Sequence, residues 1–121
     1  MITNFEKITK ELSQEELELL PILIIGFKSH SINNPIKAQT IIEKMNLYLI
    51  QYHYKIRMNG PRLRKFCNHI RTNAIIPLIA TSNGYFVSHD LEILKSQIRS
   101  LYERAKSIQN CAEGLTQFIS P

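Results

Sequence analysis

The side chains with most to offer chemically crowd one short stretch: Arg62, Arg64, Lys65, Asn68, His69 and Arg71, within Pro61 to Asn73. Guanidinium and ammonium groups bind phosphates and guanine edges, and a carboxamide pairs with adenine. No acid lies among them, so the carboxylates with which nucleases hold Mg²⁺ are missing. Cys67-Asn68-His69 raises the thought of a thiol–imidazole pair. Adjacent side chains on a helix, however, point about 100° apart, and those two positions apart diverge further. Cys67 also falls on the apolar stripe Leu63, Phe66, Cys67 and Ile70, which marks it as an ordinary buried cysteine. His30, His53, His69 and His89 show no zinc-ligand spacing, and the four glycines form no phosphate loop. These residues predict a protein that is not an enzyme, with no metal, no cofactor and no small-molecule substrate.

The charge pattern gives the basic stretch a context. Residues 1–43 hold six acids against four Lys/Arg, and residues 90–121 hold four of each. Residues 44–89 hold seven basic residues and no acid: Lys44, Lys55, Arg57, Arg62, Arg64, Lys65 and Arg71. The net charge of +5 therefore lies in one block, as a polyanion-binding face requires. Cys67 and Cys111 make no disulfide framework, no apolar run reaches membrane-spanning length, and no basic-then-apolar leader opens the chain. The expected setting is the cytoplasm.

The elements that must position the basic stretch follow from spacing. Leu12 to Lys28 reads as a helix: Ser13 and Glu16 form a capping-box signature, and Leu17, Leu20, Ile24 and Phe27 form a core face. Pro21 is a point of kinking or restart. After the polar loop Ser29 to Pro35, a second helix from Ile36 carries Ile41, Met45, Tyr48 or Leu49, and Tyr52. Tyr54 to Met58 passes for a short extended segment, and Asn59-Gly60-Pro61 is a stop followed by a helix start. Downstream, two β-branched or aromatic runs flank Ser82-Asn83-Gly84, a hairpin signal in which Asn-Gly supplies both positive-φ residues. Tyr85 and Phe86 must face opposite ways, so one of them is expected in the core.

A helix followed closely by such a hairpin is the core arrangement of a winged helix. In that arrangement Arg62, Lys65, Asn68 and His69 are placed to read bases, and Arg64 and Arg71 to meet phosphates. Lys55, Arg57 and the wing tip Thr81, Ser82 and Asn83 supply further phosphate contacts. No Lys or Arg sits on the tip itself. The last helix, residues 90–119, repeats Leu91, Leu94, Ile98, Leu101, Ala105, Ile108, Ala112, Leu115 and Ile119 at alternating steps of three and four. This heptad seam suits a second copy of the chain or the Leu12–Lys28 helix as its partner.

Three strings add a resemblance: Asn59-Gly60-Pro61-Arg62-Leu63-Arg64-Lys65, Ile70-Arg71-Thr72-Asn73, and Ile79-Ala80-Thr81-Ser82-Asn83-Gly84-Tyr85. Together they resemble small phage- and prophage-associated winged-helix proteins, most uncharacterised, over about Leu12 to Leu115. The resemblance implies a role in phage DNA regulation or replication inside a bacterial host, with no catalytic residue. Asn46 to Asn59 is longer than the turn of a minimal helix-turn-helix. The expectation is thus one mainly α domain over residues 1–121. It is a winged helix-turn-helix with a two-stranded wing, an added N-terminal helix and a long C-terminal helix. Its expected partner is double-stranded DNA, and no membrane. The alternative is a protein-interaction module whose basic face binds an acidic partner protein.

Overall fold

Ser13 opens the first helix as its sequence signature requires. Its hydroxyl accepts from the Glu16 N–H at 3.2 Å, and the Glu16 carboxylate accepts from the Ser13 N–H at 2.9 Å. The computed structural model describes residues 11–119. Helix α1 (Gln14–Lys28) runs through Pro21 without a break. Pro21 and Leu17 lie on the solvent side, where the Leu17 carbonyl that the proline cannot bond is open to solvation. This rotates the core face from the one that spacing predicts. Leu19, Leu23 and Phe27 are buried together with Glu16, while Leu17 is 40% exposed and Leu20 and Ile24 are half-buried.

Helix α2 (Ala38–Gln51) contributes Ile41, Met45 and Leu49, and α3 (Gly60–Thr72) contributes Leu63, Phe66, Cys67 and Ile70 to the same core. Tyr52 lies past the end of α2 and is exposed. Both helices end on a left-handed residue that is not glycine: His53 at φ 62° and Ala74 at φ 50°. In each case the next N–H reaches back five residues, Tyr54 to Leu49 at 2.9 Å and Ile75 to Ile70 at 3.0 Å, closing a Schellman-type end.

The segment between α2 and α3 forms no strand with itself or the hairpin. The Asn46 carboxamide takes the place of a strand partner, accepting from the Met58 N–H at 2.6 Å and donating to the Met58 carbonyl at 3.0 Å. That tie buries Met58 under the core and delivers the chain to Asn59.

Strands β1 (Leu78–Thr81) and β2 (Gly84–Val87) pair antiparallel, with Ile79 opposite Phe86 and Thr81 opposite Gly84. The loop is therefore Ser82-Asn83 rather than Asn83-Gly84, and neither loop residue has positive φ. Gly84, at φ 126°, serves a different need: a Cβ there would lie 2.5 Å from the Ile36 carbonyl oxygen. Ile36 and Tyr85 exchange N–H···O bonds of 2.9 and 2.8 Å, which docks the start of α2 on the hairpin edge. Both faces of the hairpin are covered. Phe86 is buried, and Tyr85 is half-buried against the Phe27 ring at 5.7 Å.

The residues through Ser88 form one compact unit, and those from His89 a second. The second is helix α4 (Leu91–Thr116), capped by the Asp90 carboxylate, which accepts from the N–H groups of Glu92 and Ile93. None of the residues of α4 is buried, and Ile119 lies beyond its end. Among the described residues, no helix is long and apolar enough to cross a membrane.

Candidate nucleic-acid interface

Helix α3 is set up at its start by Asn59, whose side-chain oxygen accepts from the Arg62 N–H at 2.9 Å, with Pro61 in the first turn. Four residues at offsets 0, 3, 4 and 7 are buried, and at about 100° per residue they fix where every other side chain points. Pro61, Asn68 and Thr72 face away from the core. Arg64 and Arg71 share one flank, and Arg62, Lys65 and His69 lie toward the other.

The second flank is occupied. Arg62 Nε donates to Glu16 Oε2 at 2.8 Å, and Lys65 Nζ donates to Glu16 Oε1 at 2.6 Å. Arg62 also donates to the Arg57 carbonyl at 2.7 Å. Glu16 is only 2% exposed, and its partners are 29% and 14% exposed. Burial pushes the Glu16 carboxyl up, but Lys65, the Ser13 N–H and Arg62 outweigh it and hold the group at about 2. Glu16 is thus ionised at every physiological pH, and Arg62 and Lys65 are its counter-ions. Both side chains, expected as base readers, are turned toward α1, where Glu16 balances their charge.

The first flank differs. Arg64 is exposed, and Arg71 lies against the hairpin with its Nε donating to the Leu78 carbonyl at 3.1 Å. Asn68 and His69 are half-buried, and Asn73 donates to the His69 carbonyl at 2.9 Å. Thr81, Ser82 and Asn83 are all exposed at the hairpin tip. The tip also gains a cation that spacing along the chain does not reveal, since Lys37 Nζ donates to the Ser82 carbonyl at 3.1 Å. Its signal lies in the Ile36–Tyr85 pairing, a contact between residues 49 positions apart. Lys55 and Arg57 are exposed in the segment before α3, and Arg57 donates to the carbonyls of Tyr54 and Ile56 at 2.6 and 2.9 Å.

Cys67 has no nucleophile's environment. Burial raises its thiol to about 11, above the lowering effect of Arg71. Tyr85, its hydrogen-bond partner, is raised to about 12, first by burial and then by Cys67. Both groups are neutral at pH 7, and both pack rather than react. Among the described residues, no three His, Cys, Asp or Glu side chains group as metal ligands. The arrangement groups Arg64 and Asn68 on α3, Arg71 against the hairpin and Lys37 at the hairpin tip, side chains suited to phosphate oxygens and base edges.

No protein-family model, curated protein or solved structure matches the chain.

Proposed function

We propose that this protein binds double-stranded DNA as a winged helix, with α3 as its recognition helix and the β1–β2 hairpin as its wing. The observation that carries the reading is that Arg64 and Arg71 share the flank of α3 that meets the hairpin, where Arg71 Nε donates to the Leu78 carbonyl, with Asn68 beside them. The order of elements supports it: helix, a single bridged residue at Ile36, two helices, then a hairpin whose edge pairs with Ile36. The resemblance to phage-associated winged-helix proteins is carried by the α3 and hairpin strings and implies a role in phage DNA regulation or replication.

The roles differ from those read off the sequence. Arg64 and Asn68 are the base-facing pair, Arg71 and Lys37 are phosphate contacts next to the wing, and Lys55 and Arg57 extend the backbone track. Arg62 and Lys65 instead set the position of α3 through Glu16. With three to five cations meeting phosphates, log Kobs should fall against log[salt] with a slope between about −3 and −5 per protomer. Titration of random duplex DNA across a salt series tests this. Lys37→Ala, which removes a phosphate contact at the wing, should weaken binding and flatten the slope by about 0.9. An absence of binding even at about 50 mM salt, where phosphate contacts are strongest, would reject the proposal.

A further inference from the structure

Seven of the eight seam positions within α4 are exposed, with Leu91, Ile98, Leu101, Ile108 and Leu115 at 36–70%; Leu94 is half-buried, and none of the helix's residues is buried. A lone amphipathic helix of 26 residues holds its shape poorly in water unless its apolar stripe is packed. The seam has heptad spacing, which a straight partner helix follows only by supercoiling with it. We propose that this stripe is covered by α4 of a second copy of the chain, in a parallel, in-register two-stranded coiled coil. This inference does not depend on the DNA-binding proposal.

Charge placement argues for the second copy. Leu91, Ile98, Ala105 and Ala112 occupy one core position of the heptad, and Leu94, Leu101, Ile108 and Leu115 the other. Of the seven charged side chains of α4, none falls on the seam, and only Lys95 and Arg104 flank it. Glu92, Arg99, Glu103, Lys106 and Glu113 all lie on the outer face, where a solvated dimer surface needs them. An acidic or basic partner would leave that segregation unexplained, whereas a copy of the same seam matches it.

The same positions favour the parallel arrangement. In register, Arg104 lies next to the partner's Gln109 and Gln97 next to the partner's Tyr102, so no like charges meet. The antiparallel alignment that keeps all eight layers sets Arg104 against the partner's Arg104 at the dyad, which is destabilising. Leucine at three of the four second core positions, with Ile98 at the first, is the pattern of parallel pairs. Ala105 and Ala112 narrow the seam toward its C-terminal half and make that half the weaker one.

Area sets the expected strength. Six large apolar side chains from each helix, at roughly 60–120 Å² apiece, bury on the order of 1,000 Å². That sits at the lower edge of specific interfaces, so the dimer should depend on concentration. Its consequence is two copies of α3 per particle, which a DNA site with two half-sites would engage together.

The test measures mass by light scattering and sedimentation for the full-length protein, up to about 100 µM, where an interface of this size is populated. The expected result is a particle of twice the 14.1 kDa chain mass, converted to monomer by Leu101→Glu with Ile108→Glu. Because neither residue is buried, the thermal transition of the first unit should survive those changes. Orientation is read from Leu94→Cys in a Cys111→Ser background. In a parallel pair the two introduced thiols adjoin and oxidise to a covalent dimer; in an antiparallel pair they lie about 27 Å apart. A monomer at every concentration overturns the proposal, as does a dimer that survives the double substitution. A dimer without the Leu94→Cys cross-link overturns its parallel arrangement.

Discussion

Replacing Glu16 by Gln isolates the one buried charge of the described structure. The change keeps the size of the side chain and one acceptor oxygen, yet it leaves Arg62 and Lys65 facing each other with no counter-charge. A carboxyl lowered from 4.5 to about 2 has gained about 3 kcal/mol from its surroundings. Solvent reaches the Arg62 end of the network, which brings the expected loss to about 2 kcal/mol at pH 7. For a unit of this size that is a fall of about 10 °C in Tm. The pH dependence carries the sharper signature. Because the folded carboxyl titrates below its ordinary value, the contribution is complete above about pH 5 and disappears as pH falls through 4.5 toward 2. Urea denaturation of both proteins at intervals from pH 7 to pH 2 should show their stabilities converge as acid protonates Glu16. A second readout is the salt slope of DNA binding, which should steepen by up to about 0.9 for each cation that Glu16→Gln releases. If the two proteins differ by less than about 0.5 kcal/mol at pH 7, or keep a constant difference down to pH 2, the Glu16 network is not what positions α3.

Three other perturbations probe the scaffold around α3 and the hairpin. Gly84→Ala drives a Cβ to 2.5 Å from the Ile36 carbonyl oxygen at a positive φ; it should cost about 3 kcal/mol and speed amide exchange at Ile36 and Tyr85. A loss under about 1 kcal/mol would mean the hairpin edge is not held by Ile36. Ala74→Gly relieves a left-handed alanine at the end of α3, so chemical denaturation should register a gain of about 0.5 kcal/mol, and a loss would contradict the Schellman-type end. A thiol-specific chromogenic reagent at pH 8 should label Cys111 quickly and Cys67 only after denaturation, given a thiol raised to about 11 by burial. Fast labelling of both in the folded protein would place Cys67 outside the core.

Much of the helical scaffold is legible because it rests on local rules. Ser13 and Glu16 announce the first capping box, Asn59-Gly60-Pro61 announces the start of α3, and the spacing of Leu63, Phe66, Cys67 and Ile70 gives its buried face directly. The failures share a cause, which is that a long-range contact decided the local choice. Asn83-Gly84 signals a hairpin correctly, but Gly84 is spent on close approach to Ile36 rather than on the turn. The stretch after α2 reads as an extended segment, yet it joins no strand, and the partner of Met58 is the side chain of Asn46.

The site shows the same limit in electrostatic form. Counting along the chain finds seven cations and no acid in residues 44–89, and that segregation suggests a face positive throughout. In space an acid from α1, 46 residues before Arg62, is inserted among them. A carboxylate can enter such a cluster only by burial beside its counter-ions, since desolvation alone would keep it protonated. The capping box makes this possible: the Ser13 N–H already satisfies one oxygen of Glu16, and the helix N-terminus adds its own field. One residue therefore caps the start of α1, fastens α1 to α3, and sets a carboxylate against two of the seven cations. The DNA-binding proposal accordingly uses the opposite flank of α3, with Arg64 and Arg71, and Lys37 at the hairpin tip. Under that proposal, the flank of α3 that Glu16 occupies decides which flank is left to face a polyanion.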